Sequence, residues 1–357
     1  MSVQLRYLAR EIYGATALVL FAFLALFAFF DLVAELGDLG KGGYRLHQAV
    51  AYVLLTLPGR VYELFPIAVL IGTLFALTTM ARHSEITVLR ASGLSTGRLI
   101  GTLCLIGASF VVLTFLVGEY AAPPAERAAQ RLRLEATSSL VGKEFRSGMW
   151  LKDDTTFVNV RSVLPDGRLK GIWIYRFDAA YRLLSIRQAE EGQFAPPDSW
   201  RLTGVVETRF TTDRAEVERL DQMHWQSALN PEILAVLMVV PERMTIGNLY
   251  RYIEHLADNR QRTERYEIAL WKKVVYPIAA IVMMVLALPF ALRQHRFGGV
   301  SVRIFAGVMI GIGFHMLNGL SSSLGIINNW PPPLAAFAPS ALFLVAAGLM
   351  LWVVERR

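Results

Sequence analysis

Apolar residues gather into six long runs along the chain, and between the third and fourth runs the pattern changes to short alternations. A helix crosses the hydrocarbon core with about 20 apolar residues, and the qualifying runs lie at roughly 12–36, 58–80, 99–119, 271–292, 304–325 and 334–354. The stretch of about 150 residues between them is large enough to bury a core of its own. In it, apolar and β-branched residues alternate with polar ones over 149–151, 157–163, 169–177, 183–186, 200–210 and 223–225. Turn signals such as Pro165-Asp166-Gly167 and Ala195-Pro196-Pro197-Asp198 separate these segments. Period two in short runs predicts strands, and their spacing predicts an all-β sandwich or jelly roll. From Thr245 to Leu256, helical spacing puts Ile246, Leu249, Tyr250, Ile253 and Leu256 on one face, so a helix is expected to lead back to the fourth span. The expected organisation is spans one to three in 1–119, a β domain with flanking helical segments in 120–270, and spans four to six in 271–357.

The first run follows Arg6 and Arg10, as in a signal peptide. It is longer than a typical signal core, and no small-residue cleavage pattern precedes Asp31 and Glu35, so it reads as a retained span. The formal charge is +7, but the basic residues lie mostly beside apolar segments rather than in a basic-aromatic patch, which argues against nucleic acid as a partner. Their placement fixes orientation instead. One side collects Arg6, Arg10, Arg82, Arg90, Arg98, Arg293, Arg296, Arg303, Arg356 and Arg357; the other has Lys41, Arg45 and Arg60. Lys and Arg mark cytoplasmic loops, so both termini and residues 81–98 are expected in the cytoplasm and the β domain outside.

No catalytic motif is present. G-x-x-x-x-G-K-[ST], H-E-x-x-H, G-x-S-x-G and G-x-G-x-x-G are all missing, and the six histidines have no ligand spacing. The single Cys104 excludes an intrachain disulfide and a cysteine-rich metal site. A non-catalytic chain without metal or bound cofactor is expected, although scattered residues converging on an intramembrane active site stay open.

Polar and small residues within spans are candidates for function. His315 and Asn318 lie three apart on the fifth span, either as hydrogen-bonding glue between helices or as lining of a cavity or gate. On the same span, Gly307 and Gly311 form a G-x-x-x-G that permits close helix approach. Asp31, Glu35 and Asp38 share a face at the outer end of the first span, either solvated or paired with basic groups of another helix. Arg127, Arg131 and Arg133 follow the third span on a helical extension, either as a solvated face or as contacts for anionic headgroups. Lys272 and Lys273 lie between Trp271 and Tyr276, where interfacial anchoring is expected. In 81–98, a short helix over about 82–92 is expected, capped by Ser84 and stopped by Gly93, with Ser95 capping the third span. Ile86, Leu89 and Arg90 share one side and Glu85 another, which fits a plain connector or a plug for a cytoplasmic groove.

Four stretches carry a resemblance: R-H-S-E-I-T-V-L-R-A-S-G (82–93), G-E-Y-A-A-P with E-R-A-A-Q-R-L-R (118–133), G-M-W-L-K-D-D-T-T-F-V-N-V (148–160) and G-I-W-I-Y-R-F (171–177). With them the chain resembles, over essentially its whole length, the LptF/LptG family of lipopolysaccharide export permeases, and its LptG branch more than its LptF branch. The resemblance implies six spans, both termini inside, and a periplasmic β-jellyroll between spans three and four. It also implies a multi-pass inner-membrane subunit of an ABC transporter that extracts lipopolysaccharide and sends it toward the outer membrane over a jellyroll bridge. Implied partners are an LptF-like permease, an LptB-like ATPase dimer carrying the ATP and Mg, an LptC-like bridge protein, lipopolysaccharide itself and membrane lipid. The family's coupling helix matches 82–92, its glutamate matches Glu85, and Ile86, Leu89 and Arg90 are expected to join it in contacting the ATPase. Family members carry lysines near the outer end of the first span, where this chain has Asp31, Glu35 and Asp38, with Lys41 beyond. Arg133 matches a family arginine, and Arg131, Arg60 and Lys41 are the other headgroup candidates. Inward positions among Trp150, Phe157, Val160, Ile172, Ile174, Ile186 and Trp225 are expected to form a groove for acyl chains. The rival readings are a mechanotransmission or scaffold subunit that carries no lipid, and a secondary transporter, which would show internal repeats.

Overall fold

A computed structural model describes residues 3–40, 43–91, 93, 95–137, 148–153, 155–164, 168–178, 180–196, 199–211, 214–227, 241–258, 261–292 and 300–356. The membrane part begins with α1 (Val3–Leu36), α2 (Leu46–Arg82), the short α3 (Glu85–Ala91) and α4 (Thr96–Leu116). A π-helical turn, Val117–Ala121, carries α4 into α5 (Ala122–Thr137). After the strands come α6 (Ile246–Asp258), α7 (Glu264–Val275), α8 (Ala279–Leu292), α9 (Val300–Ile327) and α10 (Pro332–Glu355). Six helices are long and apolar enough to cross a membrane, Leu5–Leu36, Leu46–Arg82, Thr96–Arg133, Glu264–Ala291, Val302–Ile327 and Pro332–Val354.

The helices outrun the apolar stretches because their polar flanks are rich in helix-forming residues. The second is the clearest case: it starts at Leu46 rather than near residue 58 and continues through Pro58 and Pro66. Membrane helices tolerate such prolines where neighbouring helices supply the lost contacts, and α2 packs against α1, α5, α8 and α9. Leu70, Leu74 and Leu77 of α2 meet Leu103 of α4 and Met283 and Met284 of α8 in the principal core. Gly72 admits α1: a Cβ there would lie 2.6 Å from the Thr16 Cα.

Six strands form one antiparallel sheet in chain order: β1 (Met149–Asp153), β2 (Thr156–Val163), β3 (Leu169–Phe177), β4 (Leu183–Ala195), β5 (Ser199–Phe210) and β6 (Ala215–Gln226). This is a meander, with no second sheet and no crossover among the described strands. β4 and β6 are longer than the alternation predicts. β6 is an edge strand in the described sheet and its first half, Ala215-Glu-Val-Glu-Arg, is exposed, so it carries no apolar period.

The inward side chains do not keep period two throughout. They step by three from Leu169 to Ile172, from Ala189 to Gly192, from Leu202 to Val205 and from Leu220 to Met223. All four steps fall at one level, where Gly171 (φ +64) and Gly204 (φ +63) take left-handed backbone that favours glycine. A crease therefore crosses β3 to β6 without shifting their register there.

α6 packs on α7 through Leu249 and Tyr252, the Tyr252 ring lying 4.7 Å from Tyr266. Tyr250, expected on the inward face, is exposed instead. Leu249, Tyr252 and Leu256 make the buried stripe at spacings of three and four, and Tyr250 lies a quarter turn away.

Candidate functional site

At the C-terminal end of α1, its acidic face is paired within the chain. Arg60 grips Asp31 in a fork, Nε to Oδ2 at 3.0 Å and Nη2 to Oδ1 at 2.8 Å, while its Nη1 reaches Glu63 Oε2 at 3.2 Å. Arg133 Nη2 lies 2.8 Å from Asp38 Oδ2 and 3.5 Å from Glu35 Oε1, and the buried Tyr44 hydroxyl donates to Glu35 Oε2 at 3.0 Å. Each guanidinium also covers a ring, Arg60 over Phe27 and Arg133 over Tyr52. Forked, charge-assisted pairs are the strong kind, so Arg60 and Arg133 hold α1 against α2 and α5. Arg131 differs: it is exposed and has no ion pair among the described residues. Arg127 is also exposed, its Nε donating to the Pro123 carbonyl at 3.3 Å. Lys41 lies outside the described residues.

The four fifth-span candidates separate into two pairs. Gly307 and Gly311 face α2, where Cβ atoms would come 3.5 Å from Ile71 Cγ1 and 2.7 Å from Ile67 Cγ2. His315 is exposed among Ile312, Met316 and Gly319, and Asn318 is half-buried, its carbonyl accepting from Ser322 Oγ. The glycine seam is a packing contact inside the chain, and His315, one turn beyond it, is exposed.

The seven groove candidates also divide. Val160, Ile172, Ile174 and Trp225 are buried on one face with Val158, Trp200 and Leu202. Register puts Trp150, Phe157 and Ile186 on the other: Trp150 pairs with Asn159 and Phe157 with Tyr175, which in turn faces Ile186. There Trp150 stacks on Tyr175 at 5.6 Å and Trp173 on Tyr175 at 6.3 Å. Counting alternation separately in each segment cannot show which phase of each strand shares a face. The inward face is not wholly apolar. Glu207, 1% exposed, accepts from Arg187 Nε at 2.7 Å and from Arg209 Nη2 at 2.8 Å. Burial would push its carboxyl up, but the hydrogen bonds from Arg209 and Arg187 outweigh this and hold it below the usual range.

In the loop between the second and third spans, Ser84 takes φ 58 and Gly93 φ 95 around α3. Ser95 caps α4 as expected, its Oγ accepting from the Arg98 amide at 3.3 Å. Ile86 and Leu89, expected to meet a partner, turn inward: Ile86 is 7% exposed within the principal core and Leu89 packs against that core. Glu85 accepts from the Tyr7 hydroxyl of α1 at 2.9 Å. The outward side carries Thr87, Ala91 and Val88, which is 65% exposed. The side chain of Arg90 lies outside the described residues.

One polar cluster was expected only as interfacial anchoring by Lys273, which is instead buried and paired. Glu119, on the π-helical turn, lies 3.4 Å from Lys273 Nζ of α7, and Glu126 of α5 pairs with Arg243. The available signal was a carboxylate in G-E-Y-A-A-P opposite a lysine inside an apolar span. No group of three or more His, Cys, Asp or Glu able to hold a metal occurs among the described residues.

The family described as lipopolysaccharide export system permease LptF/LptG matches residues 6–353. The chain is 30% identical over 353 residues to the lipopolysaccharide export system permease protein LptG of Haemophilus influenzae, covering 99% of this chain and 98% of that protein. It is 31% identical over 354 residues to the protein of the same description in Escherichia coli K12, again covering 99% and 98%.

Proposed function

The chain belongs to the LptF/LptG family of lipopolysaccharide export permeases, and from that premise we propose how it handles its lipid and its partners. It is a multi-pass inner-membrane permease subunit of a lipopolysaccharide export system. In our reading it is non-catalytic and binds no cofactor. ATP and Mg act on a partner ATPase dimer, a second permease completes the membrane passage, and a bridge protein receives the lipid.

The observation that carries the lipid path is the buried apolar face of the sheet, from Val158 and Val160 across Ile172 and Ile174 to Trp200 and Trp225. Exposing an acyl chain to water costs about 0.8 kcal/mol per CH₂, so a multi-chain amphiphile leaving the membrane needs a continuous apolar surface. This face supplies one when it opens to the lipid. The open jellyroll of the family is the form we assign to the whole β domain, located in the periplasm.

The pairing at the outer ends changes the headgroup assignment. Arg60 and Arg133 are occupied by Asp31, Glu35 and Asp38, so lipid phosphates meet the exposed Arg131 and Arg127 first. At the cytoplasmic side, the ATPase meets Thr87, Val88 and Ala91, while Glu85 stays within reach of both Tyr7 and the partner.

Photo-crosslinkers in the reconstituted complex test this. Residues replaced at Val160 and Ile174 should capture lipopolysaccharide only when ATP is supplied, and residues replaced at Phe157 and Ile186 should not. Capture confined to Phe157 and Ile186, or indifferent to ATP at all four, would remove the proposed path.

A further inference from the structure

The chain returning from the sheet to the membrane passes through one confined place. Pro241–Arg243 forms a 3-10 turn, and α6 starts at Ile246. Between them, the Lys273 ammonium donates to the Met244 carbonyl and pairs with Glu119 at 3.4 Å. Glu119 has a second task, because both its oxygens accept the Ile246 amide, at 3.0 and 3.1 Å. A carboxylate at a helix N-terminus satisfies an orphan donor and the positive end of the helix dipole. One step back, Arg243 pairs with Glu126, which is also held by Gln130 Nε2 at 3.1 Å. Lys273 is 5% exposed and Glu119 15%, so their pair is buried, whereas Arg243 is exposed.

The helical segment that supplies Glu119 is itself unusual. It is a π turn inside an otherwise continuous helix, a feature found frequently at functional sites. The Tyr62 ring lies where a Gly118 Cβ would be, 2.5 Å away, so the turn closes on α2 only because residue 118 is glycine. Tyr62 lies 5.1 Å from Tyr276, whose hydroxyl donates to the Glu63 carbonyl at 2.6 Å. Spans two, three and four and the returning connector thus share one set of contacts. No helix among the described residues packs extensively on the sheet.

We propose that Glu119 and Lys273 form a buried joint that clamps residues 243–246 to the third and fourth spans, so that displacement of those spans is passed to the sheet domain. The joint requires nothing of the lipid assignment: any cargo handled by the sheet would be served by it.

The test uses the full chain in nanodiscs without lipopolysaccharide, with Cys104→Ser and spin labels on the exposed Val112 of α4 and Val217 of β6. Lys273→Met and Glu119→Ala are each expected to widen the label-to-label distance distribution about twofold. A control pair at Leu54 and Val112 should stay as in the parent. Hydrogen exchange gives the second measurement: the Ile246 amide should exchange roughly tenfold faster in Glu119→Ala while Leu249, bonded to the Thr245 carbonyl, stays protected. If Glu119→Ala misfolds, Glu119→Gln, which keeps an acceptor, serves with Lys273→Met. Unchanged distance distributions in folded variants overturn the joint, even where Ile246 exchange rises, because the connector would then be capped without orienting the sheet.

Discussion

α1 and α2 are neighbouring apolar helices with opposite fates. Phe21 of α1 is 74% exposed, and Leu18, Leu26, Phe29 and Phe30 share its exposure; Ala68, Val69, Leu70, Leu74 and Leu77 of α2 are completely buried. Hydropathy decides that both cross the membrane, since lipid and protein interiors are equally apolar, and says nothing about which one is central. What distinguishes α2 is fit. It offers Gly72 to the backbone of α1, receives the glycines of α9 on Ile67 and Ile71, and touches α5 and α8 besides.

The sharpest way to break this contrast is Gly72→Leu. The obstacle is the Thr16 backbone, which cannot swing aside, so the substitution should exceed the usual overpacking penalty of about 1–3 kcal/mol and abolish the monodisperse folded protein. Gly14→Leu on α1, with nothing within 4 Å of its would-be Cβ, should leave elution and thermal unfolding unchanged. Next in size is Leu70→Ala, expected to cost about 2–5 kcal/mol through the cavity it leaves, against under about 0.5 kcal/mol for Phe21→Ala in the isolated chain. Equal losses in detergent unfolding would mean that α1 is not the open flank.

Smaller is the difference between Arg60 and Arg131. Arg60→Ala should lower stability by roughly 1 kcal/mol, as expected for a half-buried pair screened on one side. Arg131→Ala should leave stability alone and reduce binding of phosphate-bearing lipid. The least effect concerns acid. Because the carboxyl of Glu207 is held below its ordinary value, its pairing stabilises the sheet above the unfolded pKa of about 4.3 and is lost as pH falls through the lower folded value. Glu207→Gln should lower the melting temperature near neutrality and flatten the acid limb of the profile, because the amide has no charge to lose.

Span number and the β insert are legible in the residues because each depends on the local period of one segment. Adjacency is not. Asp31, Glu35 and Asp38 visibly share a face, but that Arg60 and Arg133 answer them depends on which helices stand beside α1. The limits of α3 follow from Ser84 and Gly93, whereas its inward side is chosen by the core it meets, and Ile86 went to that core. The crease was signalled by Gly171 and Gly204 within strand patterns, yet a period-two count passes over the one place where the period becomes three. The Glu119–Lys273 contact joins residues 154 positions apart, and no spacing rule reaches that far.

The Arg60–Asp31 fork also bears on how the chain enters the bilayer during synthesis. A lone arginine buried in a span opposes insertion by up to about 3 kcal/mol at mid-depth and favours retention on the cytoplasmic side. In the orientation expected from the sequence, Arg60 must nevertheless reach the outer side, and it lies 14 residues beyond the start of α2 at Leu46. If α1 and α2 leave the translocon as a hairpin, the guanidinium travels beside the Asp31 carboxylate as a neutral, hydrogen-bonded unit. The pair that fixes the mature helices thereby removes a topological signal that would otherwise pull the second span the wrong way round.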